Sequence, residues 1–105
     1  MEQPNTNYID QLSGDDAAFK IKMISIIKKE LPLEIIAYKE YLRQKDFKQT
    51  AQCVHKLKHK ISVLGLEKSY YLAEQFEDNL KEGSLTLQSD FDTIIASMHN
   101  FVNSL

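Results

Sequence analysis

Apolar residues recur every three or four positions along most of this chain, and that spacing is the period of a helix. From Asp16 to about Gln44 they are Phe19, Met23, Ile27, Leu31, Ile35, Tyr38 and Leu42, which predicts one inward stripe. Pro32 falls inside this run. It removes one backbone hydrogen bond, so a kinked pair of helical segments is predicted there rather than a loop. A second run places Phe47, Val54, Leu57, Ile61 and Leu64 on a common side at about 100° per residue, which predicts a helix from about Phe47 to Leu64. A third run, Leu66, Tyr70, Ala73, Phe76 and Leu80, closes at Gly83. The last begins near Thr86 and turns Leu87, Phe91, Ile94, Met98, Phe101 and Leu105 inward. Ahead of them, residues 1–7 read as a loose start, and Tyr8, Ile9 and Leu12 as a short helical turn that lids the rest. Strand-type alternation is absent.

The breaks between runs are short. Ser13-Gly14-Asp15-Asp16 is a break followed by a cap, with Ser13 or Asp15 to accept from the free N–H groups, Lys45-Asp46 a tight link with Asp46 as N-cap, and Gly65 a helix stop. Short links force consecutive helices to run antiparallel. The predicted fold is therefore all-α: one domain over residues 1–105, an antiparallel up-down four-helix bundle with a short extra N-terminal helix.

Composition narrows the function. The chain is 43% hydrophobic and 27% charged, the balance of a globular protein. A net charge of −2 lacks the basic field that general nucleic-acid binding needs. Cys53 is the only cysteine, so no intrachain disulfide can form, and it reads as a small apolar filler. The opening MEQPNTNYID has no basic region followed by an apolar run, so no signal peptide is predicted. No stretch reaches the roughly 20 apolar residues of a membrane span. A monomeric cytoplasmic protein is expected.

The candidate chemistry sits on the second run. His55 lies off its apolar side, with Lys58 three residues on and His59 four, both surface neighbours on a helix. A histidine at the rim, beside a lysine and without a carboxylate partner, suits a residue that carries an anion. Lys58 is placed on that rim, so its loss is expected to change stability little. Lys48, Lys56 and Lys60 extend the basic character of the helix, which reads either as a solvated face or as a collar for an acidic partner. His55 and His59 could offer two nitrogens to one metal, but two ligands make a poor site, and no metal site is assigned. His99 reads as an ordinary exposed histidine. No Gly-rich phosphate loop or cofactor signature is present.

The pattern His55, Lys56-Leu57-Lys58, His59 and a later Gly65 resembles the histidine-containing phosphotransfer domain. That family's motif is a histidine, x-Leu-Lys, a glycine and a second glycine several residues on; His59 stands where the first glycine is usual. The resemblance implies a phosphorelay protein in which His55 accepts a phosphoryl group from a receiver-domain aspartate and passes it to another receiver. It implies that Lys58 stabilises the phosphoryl group and that Gly65 makes the structural turn. Lys48, Gln52, Lys56, His59 and Ser62 are then the partner-binding face. Such a protein is a phosphocarrier, not an enzyme with kinase activity of its own. It holds no cofactor, because Mg2+ belongs to the partner receiver. Two other readings stand beside it. One is a helical adaptor that binds a signalling partner without phosphorylation. The other is the dimerisation helix pair of a histidine kinase, which usually has an acid after the histidine and a proline soon after; here Lys56 follows and no proline lies beyond Pro32.

Overall fold

Two aspartates start the two helices on which the molecule is built. In a computed structural model, which describes residues 2–105, Asp16, rather than the expected Ser13 or Asp15, accepts a hydrogen bond from the Phe19 N–H at 3.0 Å and opens helix α2 (Ala17–Arg43). The Ser13 hydroxyl instead donates back to the Asp10 carbonyl of its own helix. Asp46 accepts from the Gln49 N–H at 3.2 Å and opens α3 (Phe47–Val63). Each satisfies a donor that the first helical turn leaves free. The remaining elements are α1 (Asn7–Ser13), α4 (Glu67–Lys81) and α5 (Gln88–Asn103). All the secondary structure among the described residues is helical.

The ends are as regular as the starts. After α3, the Gly65 N–H donates to the Ser62 carbonyl and the Leu66 N–H to that of Ile61; after α4, Gly83 and Ser84 repeat the pattern on Leu80 and Asn79. Both glycines take the left-handed backbone that this stop requires, with φ of +77°. The end of α2 makes the same two bonds, from Lys45 to Leu42 and from Asp46 to Tyr41, but with a lysine at φ +59°. A side chain in that region costs about 1–2 kcal/mol. Lys45→Gly is therefore expected to raise stability by about 0.5–1 kcal/mol, read as a higher urea midpoint with unchanged slope.

The run through Pro32 is one uninterrupted helix of 27 residues, not two segments. Only one hydrogen bond is lost, while Leu31 and Ile35 on either side of the ring are buried and hold the helix to its neighbours. Helix α3 packs chiefly on α4 and α2, α5 bridges α2 and α4, and α1 lies on α2. The centre is aromatic. Tyr38 of α2, Phe76 of α4 and Phe91 of α5 are fully buried, with ring centroids 5.2 Å apart for Tyr38–Phe91 and for Phe76–Phe91. The Tyr38 hydroxyl donates to Asp92 at 2.8 Å. Val54, Leu57 and Ile61 bring α3 into the same core. Two residues expected inward are not: Phe19 and Leu105 are exposed. Phe19 lies in line with the exposed Ile26 and Leu33 on the outer side of α2, and Leu105 follows the last residue of α5, Asn103.

The N-terminal segment also departs from expectation. Met1 lies outside the described residues, but residues 2–6 are tied down rather than loose. The Asn5 N–H donates to the Leu64 carbonyl at 2.9 Å, and Pro4 is buried. The Glu2 carboxylate accepts from the Lys68 and Ser69 N–H groups, each at 2.9 Å. The reason is a missing cap: Leu66 precedes α4 and offers no side-chain oxygen, so a carboxylate remote in sequence takes the role. Among the described residues no helix is long and apolar enough to cross a membrane.

Candidate functional site

The inward stripe of α3 turns His55 outward, and its side chain is 53% exposed. The neighbouring α4 buries Ala73, Phe76 and Leu80, which leaves Glu77 on its flank facing α3. There the Glu77 Oε1 lies 3.2 Å from His55 Nδ1 and 3.2 Å from Lys58 Nζ. The other oxygen lies 3.6 Å from Lys81 Nζ. His55 thus has a carboxylate partner after all, supplied by α4 from 22 residues away.

Glu77 decides the state of the ring. Burial alone raises its pKa, but the hydrogen bonds from Lys58 and His55 and the Lys58 charge outweigh that effect. The carboxyl is held below its ordinary 4.5. Glu77 is therefore ionised at neutral pH and can only accept a hydrogen bond. The proton of the shared bond then sits on Nδ1, and in the neutral ring Nε2 carries the free lone pair.

Lys58 is not a rim residue. It is only 8% exposed, with its ammonium between Glu77 and Glu74, at 3.2 and 3.9 Å, and 5.4 Å from the Tyr70 ring centroid. Its position three residues after His55 carries it to the α4 side of α3, where α4 lies over it. It remains beside the histidine, held by carboxylates rather than free in solvent. Lys60 is also engaged: Glu30 and Glu34 of α2 hold it at 3.2 and 3.1 Å, so it contributes nothing to a collar around His55.

The other singled-out residues divide. Lys48 and Gln52 line a groove of about 500 Å³ with His55, bounded by Phe47 and Ala51 on α3 and by Glu77, Leu80 and Lys81 on α4. The exposed His59 ring meets the His55 ring edge-on, centroids 5.3 Å apart. Ser62 is exposed on the same ridge, two turns from His55, and borders a separate groove with Tyr8 and Tyr70. Lys56 is exposed about a quarter turn round the helix from His55 and outside the groove. Cys53 is buried, and burial pushes its thiol pKa up. Among the described residues no group of three or more His, Cys, Asp or Glu side chains could hold a metal ion.

Sequence reasoning missed Glu77, Glu74 and Lys81. A signal for Glu77 existed: it follows Phe76 directly and stands four residues after Ala73, on the border of the inward stripe of α4. The Glu77 pKa is lower in the folded chain than in the unfolded one. Its contribution to stability is therefore complete above the unfolded value of 4.5 and is lost as the pH falls through the lower folded value. Glu77→Gln is expected to flatten the acid side of a stability–pH curve from urea unfolding while leaving the shape at neutral pH unchanged.

Compared with known proteins, the chain matches no family model, no curated protein and no solved structure.

Proposed function

We propose that this chain is a histidine phosphotransfer protein, an antiparallel up-down four-helix bundle with a short N-terminal helix, that carries a phosphoryl group on His55 between receiver domains. The observation that carries the reading is the polarised ring: Nδ1 is held by an ionised Glu77, which leaves the free lone pair on Nε2 of a half-exposed ring beside a groove. Nε2 attacks the phosphorus of an aspartyl phosphate. The P–N bond forms as the P–O bond to the aspartate breaks, and the carboxylate leaves. Attack places positive charge on the ring, which keeps its Nδ1 proton, and the Glu77 carboxylate lies against that charge. Transfer onward reverses the step. Lys58 Nζ shares the Glu77 oxygen with Nδ1, and in this reading it is the cation for the phosphoryl oxygens, which it reaches by leaving that carboxylate. The receiver brings its own Mg2+ and its acidic pocket, towards which Lys48 and Lys81 present positive charge. The chain acts as a cytoplasmic monomer and has no kinase activity of its own.

A second reading, a non-phosphorylated adaptor, is favoured by one feature. His59 stands edge-on against His55 and fills space on the approach to it. One experiment separates the two. The chain is incubated with phosphorylated receiver domains and, in parallel, with phosphoramidate as a small donor. The phosphocarrier acquires an acid-labile, base-stable phosphate, and His55→Gln loses it completely. Failure with every donor, or an equal yield in His55→Gln, leaves the adaptor.

A further inference from the structure

Helix α2 carries a second apolar stripe that the core does not use. Phe19, Ile26 and Leu33 stand seven residues apart, and Ile36 three further on. All four are exposed, Leu33 and Ile36 by 62% and 63%. At about 100° per residue they occupy the side opposite the buried Ile27, Leu31, Ile35 and Tyr38. Lys22 and Lys29 fall in the same line, so the outer face reads apolar, Lys, apolar, Lys, apolar, apolar in alternating steps of three and four. That is the spacing of a helix–helix seam.

The charges on α2 indicate what kind of surface this is. Its carboxylates are already engaged, Glu30 and Glu34 by Lys60 and Glu40 by Arg43. Among the described residues Lys22 and Lys29 form no ion pair; the ion-paired lysines are Lys20, Lys58, Lys60 and Lys81. The stripe is therefore basic on a chain whose net charge is −2. A second copy is a poor occupant. Parallel pairing sets each lysine against itself, and antiparallel pairing over the same stripe sets Lys22 against Leu33 and Lys29 against Ile26, with no carboxylate to meet either ammonium. A bilayer is also a poor occupant, because two ammonium groups interrupt the apolar line instead of flanking it. A partner helix with carboxylates at the facing positions meets neither difficulty.

We propose that the outer face of α2 docks an amphipathic helix of another protein, one whose apolar heptad positions alternate with acidic residues that meet Lys22 and Lys29. The site shares no residue with the His55 cluster and stands whether or not His55 carries phosphate.

The probe is a synthetic four-heptad peptide with Leu at the first core position and Glu at the second; its control has Lys in place of Glu. Fluorescence anisotropy is expected to show binding of the acidic peptide that weakens with salt. Ile26→Ser with Leu33→Ser is expected to reduce that affinity by about tenfold or more. Lys22→Glu with Lys29→Glu is expected to reverse the preference towards the basic peptide. These positions are exposed, and circular dichroism melts matching wild type establish that the variants fold. The proposal is overturned by absence of binding, by equal binding of the two peptides, or by affinity that survives Ile26→Ser with Leu33→Ser. It is likewise overturned if sedimentation shows a dimer that Leu33→Ser abolishes, or if phosphatidylserine vesicles bind the chain while the acidic peptide does not.

Discussion

Phe76→Ala is expected to be among the most damaging single changes in the chain, costing about 3–5 kcal/mol. The ring is fully buried and sits between Tyr38 and Phe91, so three helices lose packing at one point. The cavity has no polar wall of its own, since the nearby Tyr38 hydroxyl is already bonded to Asp92. Water therefore has no reason to fill it. For a domain of this size such a loss lowers the melting temperature by on the order of 15–30 °C. Urea unfolding measures it, as a large fall in midpoint at unchanged slope. A loss below about 1 kcal/mol would mean that the aromatic cluster is not the centre of the fold. The same change reaches the candidate site, because Glu77 is the next residue and owes its direction to Phe76 being anchored.

Lys58→Ala is the second. Were Lys58 a rim residue, its loss would scarcely move stability. Buried against Glu77 and Glu74, it leaves a largely buried carboxylate with fewer partners, at an expected cost of about 1–3 kcal/mol. His55 and Lys81 still contact Glu77, which keeps the figure below that of an abandoned buried charge. A double-mutant cycle with Glu77→Gln isolates the interaction: the Lys58→Ala penalty should shrink once the carboxylate is gone. If the penalty is the same in both backgrounds, the pair does not hold the helices together. Phosphotransfer, if His55 performs it, should slow in Lys58→Ala even below the melting transition.

Local chemistry was legible in this sequence, and contacts across the fold were not. Period alone located the helices. Asp46, Gly65 and Gly83 marked their ends, and the cap of α2 fell on Asp16, within a residue or a turn of the expected Asp15 or Ser13, because caps and left-handed stops are made by residues close to the break. Period also says which side of a helix faces inward, but α2 carries two apolar stripes and Phe19 falls with the outer one. Period does not say where a helix stops, so Leu105 beyond Asn103 reads as inward when it is exposed. For the site, spacing set Lys58 beside His55, but whether a lysine is wet or buried depends on the helix that lies over it. Its partner Glu77 is 19 residues away, and no local rule reaches that distance. The groove arises only when two helices are laid side by side.

The Glu2 tether has a consequence for the order of folding. It joins backbone amides 66 and 67 residues away, so closing it early would cost chain entropy with almost nothing in return. Its partner amides gain their positions only once α4 has formed against α3, a contact between neighbours in sequence that can form first. The tether is therefore among the last links to form and the first to open. The amides of Lys68 and Ser69 should exchange their hydrogens faster than those deeper in α4, at a rate that follows the opening of the N-terminal segment rather than of the whole domain.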